Sequence, residues 1–69
     1  MNYVIIEMQT NNGTTAIVTP ATYANEITAE ATFLQTCAAA RVSGLDAHSV
    51  VLMDEEGKTI ARKCFKAQS

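Results

Sequence analysis

The sequence predicts a single α+β domain, with one helix packed on one face of a four-stranded, mainly antiparallel sheet. Two short apolar, β-favouring runs precede a segment of helical periodicity, and two more follow it. Turn-forming asparagine, glycine and acidic residues separate the runs within each pair. A length of 69 residues allows one small domain, residues 1–69. The ββαββ order fits one sheet ordered two, one, three, four, because every neighbour is then antiparallel.

The first two strands are predicted to form a hairpin. Residues 2–9 are mostly apolar and β-favouring, and the chain returns as a second strand over residues 14–19, ending at Pro20. The run Asn11-Asn12-Gly13 supplies residues that accept the positive φ of a tight turn. Side chains alternate along strand one, and its apolar set facing the helix is expected to be Val4, Ile6 and Met8.

The helix is predicted to begin at Pro20 with Thr19 as its N-terminal cap, or slightly later with Thr22 as the cap, and to end near Ser43-Gly44. A hydroxyl at the cap satisfies backbone N–H groups that have no partner within the helix. Apolar residues recur at steps of three and four, which predicts one face packed on the sheet. That stripe comprises Tyr23, Ile27, Ala31, Leu34 and Ala38, flanked by Phe33, Cys37 and Val42.

Strand three is predicted over residues 47–53 and strand four over residues 59–66, joined by the turn residues 54–58. The polar tail, residues 67–69, is expected to fray. Strand three is apolar on both faces, since Val50 and Leu52 point one way and Val51 and Met53 the other, yet one helix covers only one face of a sheet. An uncovered apolar patch indicates an interaction surface, and twofold dimers are the commonest assemblies. We therefore predict a homodimer through the open sheet face, with candidate interface residues Tyr3, Ile5, Val51 and Met53.

The charges are segregated along the chain. All seven acids precede Gly57, and four of the five bases follow it, for a net charge of −2. The candidate stripe for an anionic partner is Lys58, Arg62, Lys63, Phe65 and Lys66. An aromatic ring among bases is typical of single-strand nucleic-acid binding, whereas lysine and arginine on an edge strand discourage unwanted strand pairing. The acidic pI of about 5.1 favours the protective role, and nucleic acid is an unlikely partner.

No residue pattern predicts catalysis, a cofactor or a metal ion. His48 is the only histidine, and either a general base or a Cys–His pair would need a partner at a recognisable spacing. Zinc ligand pairs and a calcium-loop pattern are absent from the sequence. Cys37 and Cys64 are expected to be free, buried thiols, with a redox pair as the alternative. The sequence also has no long apolar run and no signal peptide, so we expect a cytoplasmic protein that neither spans nor binds a membrane.

The chain resembles a group of short uncharacterised proteins encoded in phages and prophages of Gram-positive, often gut, bacteria. The similar segments are residues 4–10, the Ala29-Glu30 pair with Phe33, the alanine-rich run to Ser43, and residues 48–57. Such genes commonly lie near holin and lysis genes, so the resemblance implies a phage-related setting and no particular activity. We expect a non-enzymatic, homodimeric interaction module that also binds a host or phage protein. The alternative is a small nucleic-acid-binding protein that uses the basic C-terminal strand.

Overall fold

The computed structural model describes residues 1–66, apart from the side chain of Thr19. The chain forms β1 (Tyr3–Asn11), β2 (Thr14–Tyr23), α1 (Glu26–Arg41), β3 (Ala47–Asp54) and β4 (Thr59–Lys66). Over these residues the strands make one four-stranded antiparallel sheet in the order β2-β1-β3-β4, with the helix on one face. The predicted α+β class and the single helix on an antiparallel sheet are confirmed. The tail of residues 67–69, expected to fray, lies outside the described residues.

The β1–β2 hairpin turns within the predicted run, at its last two residues, whereas Asn11 belongs to β1. Asn12 has φ 54° and Gly13 has φ 81°, and only these two residues separate the strands. Two consecutive positive φ values are typical of a type I′ turn, whose twist matches that of the flanking strands. The backbone N–H of Asn12 also donates a hydrogen bond of 2.8 Å to Asp46 Oδ2, which ties this turn to the segment before β3.

The helix begins later than the sequence predicted. β2 continues through Pro20 to Tyr23, and a register shift in its pairing with β1 occurs opposite Ile5 to Glu7. Proline is tolerated there because β2 is an edge strand with an irregularity. The cap is Asn25, whose Oδ1 accepts hydrogen bonds from the backbone N–H groups of Ile27 (2.8 Å) and Thr28 (3.2 Å). The proposed caps Thr19 and Thr22 are therefore wrong, since both lie in β2.

The helix packs on the sheet through a different stripe from the predicted one. Its buried residues are Ala29, Phe33, Cys37 and Ala40. Ile27 and Leu34, assigned to the core from their spacing, are 79% and 66% exposed. The helix therefore carries two apolar stripes, and the stripe containing the aromatic ring is the one that packs on the sheet.

The face of β1 that meets the helix is also the reverse of the predicted one. Val50 and Leu52 of β3 are fully buried beneath the helix. Residues directly opposite each other in an antiparallel pair share a face, and Leu52 lies opposite Ile5. Ile5 is accordingly 5% exposed in the core, and Tyr3 packs against that core. Val4, Ile6 and Met8 point to the other face.

The β3–β4 turn is organised by the buried Asp54. Its Oδ1 accepts hydrogen bonds from the backbone N–H groups of Glu56 (2.9 Å) and Lys58 (3.0 Å), and Gly57 has φ 86°. An aspartate that binds the backbone two residues ahead is typical of a tight turn. Next to this turn, the β3–β4 pairing has a register shift between Leu52 and Met53, so β4 is slightly offset along β3.

Candidate interaction surface

The sheet face away from the helix carries an apolar strip along its two central strands. Val4 lies opposite Met53, and Ile6 lies opposite Val51, and all four side chains are half-buried by their neighbours. We call these four residues, Val4, Ile6, Val51 and Met53, the central strip. Among residues 1–66, no helix or strand covers this face, because the single helix packs on the opposite one.

The edge strands extend this face with different chemistry on each side. On β2, Ile17 lies opposite Met8, and the two are 64% and 37% exposed. The hydroxyls of Thr10 and Thr15 are 2.8 Å apart, as expected for cross-strand neighbours on one face. On β4, the residues opposite Ala47, Ser49 and Val51 are Lys66, Cys64 and Arg62.

No acidic side chain of the four strands reaches the open face. The strands contain two acids, Glu7 and Asp54. Both lie on the helix side, since Glu7 is opposite Val50 and Asp54 is opposite Tyr3. The open face is therefore apolar in the centre, uncharged along β2 and basic along β4.

The predicted interface residues divide between the two faces. Val51 and Met53 lie on the open face, whereas Ile5 is in the core and Tyr3 packs against it. The assignment of Tyr3 and Ile5 to the open face is wrong. Burial raises the pKa of the Tyr3 phenol, and the nearby carboxylates of Glu26 and Asp54 raise it further, as expected on the helix side.

Sequence reasoning missed Val4, Ile6 and Met8 as open-face residues. One signal was available, because Glu7 and His48 are ionisable residues within otherwise largely apolar strands. An ionisable side chain is tolerated on the protected side of a sheet when it is paired, and a glutamate and a histidine can pair with each other. Placing both on the helix side would have turned Ile5 inward and Ile6 outward.

The candidate basic stripe is likewise split. Arg62 and Lys66 share the open face, while Lys63 lies opposite Val50 and Phe65 opposite His48, on the helix side. Phe65 is half-buried against the core, and Lys58 lies in the turn before β4. The five residues do not form one surface, and Phe65 does not stand between Arg62 and Lys66 as an exposed stacking ring.

Two residues of the candidate basic stripe, Phe65 and Lys66, lie beside the C-terminal end of the helix. An open cavity of about 380 Å³ lies beside the helix C-terminus, and its lining includes Arg41, Ser43, Phe65 and Lys66. This depression is shallow and mixed in polarity. It brings Phe65 beside Arg41 and Lys66, and two neighbouring depressions also contain Phe65 with Arg41, one of them together with Lys63 and the other with Lys66.

His48 connects three segments on the helix side. Its Nε2 lies 2.9 Å from Glu7 Oε1, its Nδ1 lies 3.2 Å from Ser43 Oγ, and the residue is 5% exposed. An ionised carboxylate only accepts hydrogen bonds, so Nε2–H donates to Glu7 and a neutral ring then accepts from the Ser43 hydroxyl. Both ring nitrogens are thereby engaged in joining β1, β3 and the end of the helix.

The two cysteines lie on opposite faces of the sheet. Cys37 is buried beneath the helix, and Cys64 is exposed on the open face, so both thiols are free. The expectation of two buried thiols is confirmed for Cys37 and wrong for Cys64. Burial raises the pKa of the Cys37 thiol, and Lys63 partly opposes that effect. A Cys–His pair of Cys64 with His48 is ruled out because strand alternation points the two side chains to opposite faces.

Comparison with protein-family models, with curated protein sequences and with solved structures finds no match to this chain. Within residues 1–66, no helix has both the length and the apolar character needed to cross a bilayer. The same residues contain no group of three or more His, Cys, Asp or Glu side chains placed to hold a metal ion.

Proposed function

We propose that this protein is a non-enzymatic interaction module that forms a homodimer through the open sheet face. The observation that carries the proposal is the central strip, four large apolar side chains on a face that no element within residues 1–66 covers. Uncovered apolar patches on small proteins usually mark contact surfaces. A domain of this size also gains stability from association, because it buries only about 60% of its unfolded surface by itself.

The size of the face suits a small dimer. Four strands spaced about 4.8 Å apart, each about eight residues long, give a face of roughly 19 by 26 Å, or about 500 Å² per copy. Two copies would then bury about 1,000 Å² in total, which is near the lower limit for a specific interface. The affinity expected from such an area is modest, and dimerisation should depend on protein concentration in the micromolar range.

The charges favour one orientation of the two sheets. A twofold axis across the strands would stack β4 on β4, so that Arg62 and Lys66 faced their own counterparts. A twofold axis parallel to the strands instead places β4 of each copy over β2 of the other, where Thr15, Ile17 and Thr22 are uncharged. Like charges brought together across an interface cost free energy. We therefore assign the dimer to the second arrangement.

The cellular setting of the proposal rests on the sequence resemblance. A phage- or prophage-encoded protein of this type would act in the cytoplasm of a bacterial host. Its further partner would be a host or phage protein, bound by a surface that the dimer leaves free. Capture from host lysate with the dimer, compared with a central-strip variant that is monomeric, would identify such a partner.

Alkylation of Cys64 tests the sheet-face dimer directly. Cys64 is exposed on the open face, and Cys37 is buried beneath the helix as an internal reference. We expect iodoacetamide to modify Cys64 several-fold more slowly at high than at low protein concentration, and to modify Cys37 slowly at both. In an Ile6→Lys variant the Cys64 rate should not depend on concentration. A concentration-independent rate in the unmodified protein would contradict the proposal.

The second candidate function is nucleic-acid binding, favoured by the cavity that brings Phe65 beside Arg41 and Lys66. Phosphate contacts from basic residues and stacking on an aromatic ring are the two components of single-strand binding. Against it stand the net charge of −2 and the half-buried position of Phe65. Oligonucleotide binding with a steep salt dependence, abolished by Arg41→Glu with Lys66→Glu in a folded variant, would favour this function over the dimer.

A further inference from the structure

The outer face of the helix carries a second apolar surface that the proposed dimer does not use. Four residues recur at steps of four, three and four: Ile27, Ala31, Leu34 and Ala38. All four are exposed, Ile27 at 79% and Leu34 at 66%. This spacing is that of a coiled-coil seam, and we call the four residues the outer seam. A helix that is apolar on both sides is normally buried on both.

We propose that the outer seam binds the outer seam of a second copy of this chain, with the two helices antiparallel. The sizes of the seam side chains favour this antiparallel pairing. In an antiparallel pair centred between Ala31 and Leu34, Ile27 of one copy faces Ala38 of the other, and Ala31 faces Leu34. Every layer then combines one large and one small side chain, which fills the space between closely packed helices. A parallel pair would instead stack alanine on alanine and leave those layers empty.

The charges beside the outer seam also favour the antiparallel pair. Glu30 and Arg41 are exposed and lie on the same flank of the seam, since three helical turns take about 11 residues. In an antiparallel twofold pair this flank of one helix meets the same flank of the other. Helix side chains lean toward their own N-terminus, so Glu30 of one copy and Arg41 of the other lean toward each other. In this register Arg41 of one copy is level with residue 24 of the other, about 9 Å along the axis from Glu30, a separation that the lean of both long side chains reduces. The antiparallel pair contains this attraction twice, and a parallel pair does not contain it.

The seam lies on the opposite side of the molecule from the central strip. A copy that uses both surfaces therefore contacts two other copies, and assemblies larger than a dimer follow at high concentration. A seam of four residues buries less than a stable interface of about 1,000 Å². The seam contact is consequently weaker than the sheet-face contact. A sheet-face dimer carries two seams, so binding through both at once is tighter than binding through one.

The test separates this contact from the sheet-face dimer by using an Ile6→Lys background. In that background, sedimentation up to about 1 mM protein should reveal a weak dimer with a Kd that can be measured. Ala38→Lys should raise the Kd at least tenfold, whereas Ala39→Lys, at a neighbouring exposed position off the seam, should change it less than twofold. Equal effects of the two lysines, or no association in the background, would overturn the proposal while leaving the sheet-face dimer untouched.

Orientation is tested by charge exchange and by spin labels. Glu30→Arg and Arg41→Glu should each weaken association, and the double variant should restore it. For the labels, Cys37→Ala and Cys64→Ser are added to the same background, and a spin label is attached through Ala39→Cys. The labels of the two copies should lie roughly 20 Å apart along the helix axis, because the antiparallel register offsets the two positions by 13 residues. Labels at the same height along the axis would contradict the antiparallel arrangement.

Discussion

Two neighbouring helix residues, Phe33 and Leu34, provide a sharp test of the fold. Phe33 is 5% exposed in the core, whereas Leu34 is 66% exposed on the outer seam. Periodicity alone assigns Leu34 to the core. The orientation predicted from periodicity and the orientation in the structure therefore differ in the stability loss expected for truncating Leu34. Truncating a buried phenylalanine to alanine costs about 3–5 kcal/mol, and a surface truncation changes stability by about 0.5 kcal/mol or less.

Urea denaturation followed by circular dichroism measures both effects. A domain of 69 residues is expected to have a free energy of unfolding of about 3–10 kcal/mol, so Phe33→Ala should lose a large fraction of it. Phe33→Leu, which retains most of the volume, should cost about 1.5 kcal/mol or less and keep the protein folded. With a urea m-value near 1 kcal/mol/M, each lost kcal/mol lowers the midpoint by about 1 M.

The experiment is run at a few micromolar protein, where the weak helix seam is not occupied and Leu34 is in solvent. Leu34→Ala should then leave the midpoint within about 0.5 M of the unmodified protein. A loss for Leu34→Ala as large as that for Phe33→Ala would refute the orientation of the helix. It would also remove the basis for the outer seam.

Three further predictions concern single contacts. Asn25→Ala should cost about 1 kcal/mol of unfolding free energy because Asn25 Oδ1 accepts two backbone N–H groups at the start of the helix, and Asn25→Ser should recover most of that loss in the same urea assay. Glu7→Ala should cost about 1–3 kcal/mol because it leaves the buried Nε2–H of His48 without its acceptor, and Glu7→Gln, which retains an oxygen, should cost clearly less; equal losses would show that the hydrogen bond is not the cause. Cys37 has a raised pKa in the folded state, so the folded protein holds the thiol proton more tightly than the unfolded chain, and stability should fall as pH rises above about 8.5. A Cys37→Ala variant should lose less stability between pH 8 and 10, and parallel pH profiles of the two proteins would contradict the assignment.

The elements of the fold could be predicted from local signals. The run Asn11-Asn12-Gly13 marked the first hairpin because asparagine and glycine accept positive φ values, which Asn12 and Gly13 adopt in succession. The alternation in β3 identified Val50 with Leu52 and Val51 with Met53 as two sets on opposite faces, and the structure places them so.

The orientation of the elements could not be predicted in the same way. β1 has Val4, Ile5 and Ile6 in succession, so alternation alone does not say which set faces the helix. The pairing register decides it, and that depends on residues far apart in the chain. The helix posed the same difficulty, because it carries two apolar stripes and either could have faced the sheet. The stripe with the large ring of Phe33 is the one that is buried, although Ile27 and Leu34 have the more regular spacing.

Sedimentation equilibrium of the full chain tests the central claim, that the open sheet face binds a second copy. At tens of micromolar protein the account predicts a mass approaching twice 7.4 kDa for the unmodified chain. Ile6→Lys and Val51→Lys, which place charges at opposed positions in the central strip, should each return it to the monomer mass. Asn11→Lys makes the same change in charge at an exposed position of β1 outside that strip and should remain dimeric. A monomer for the unmodified chain, or a dimer that survives both central-strip substitutions, would contradict the account.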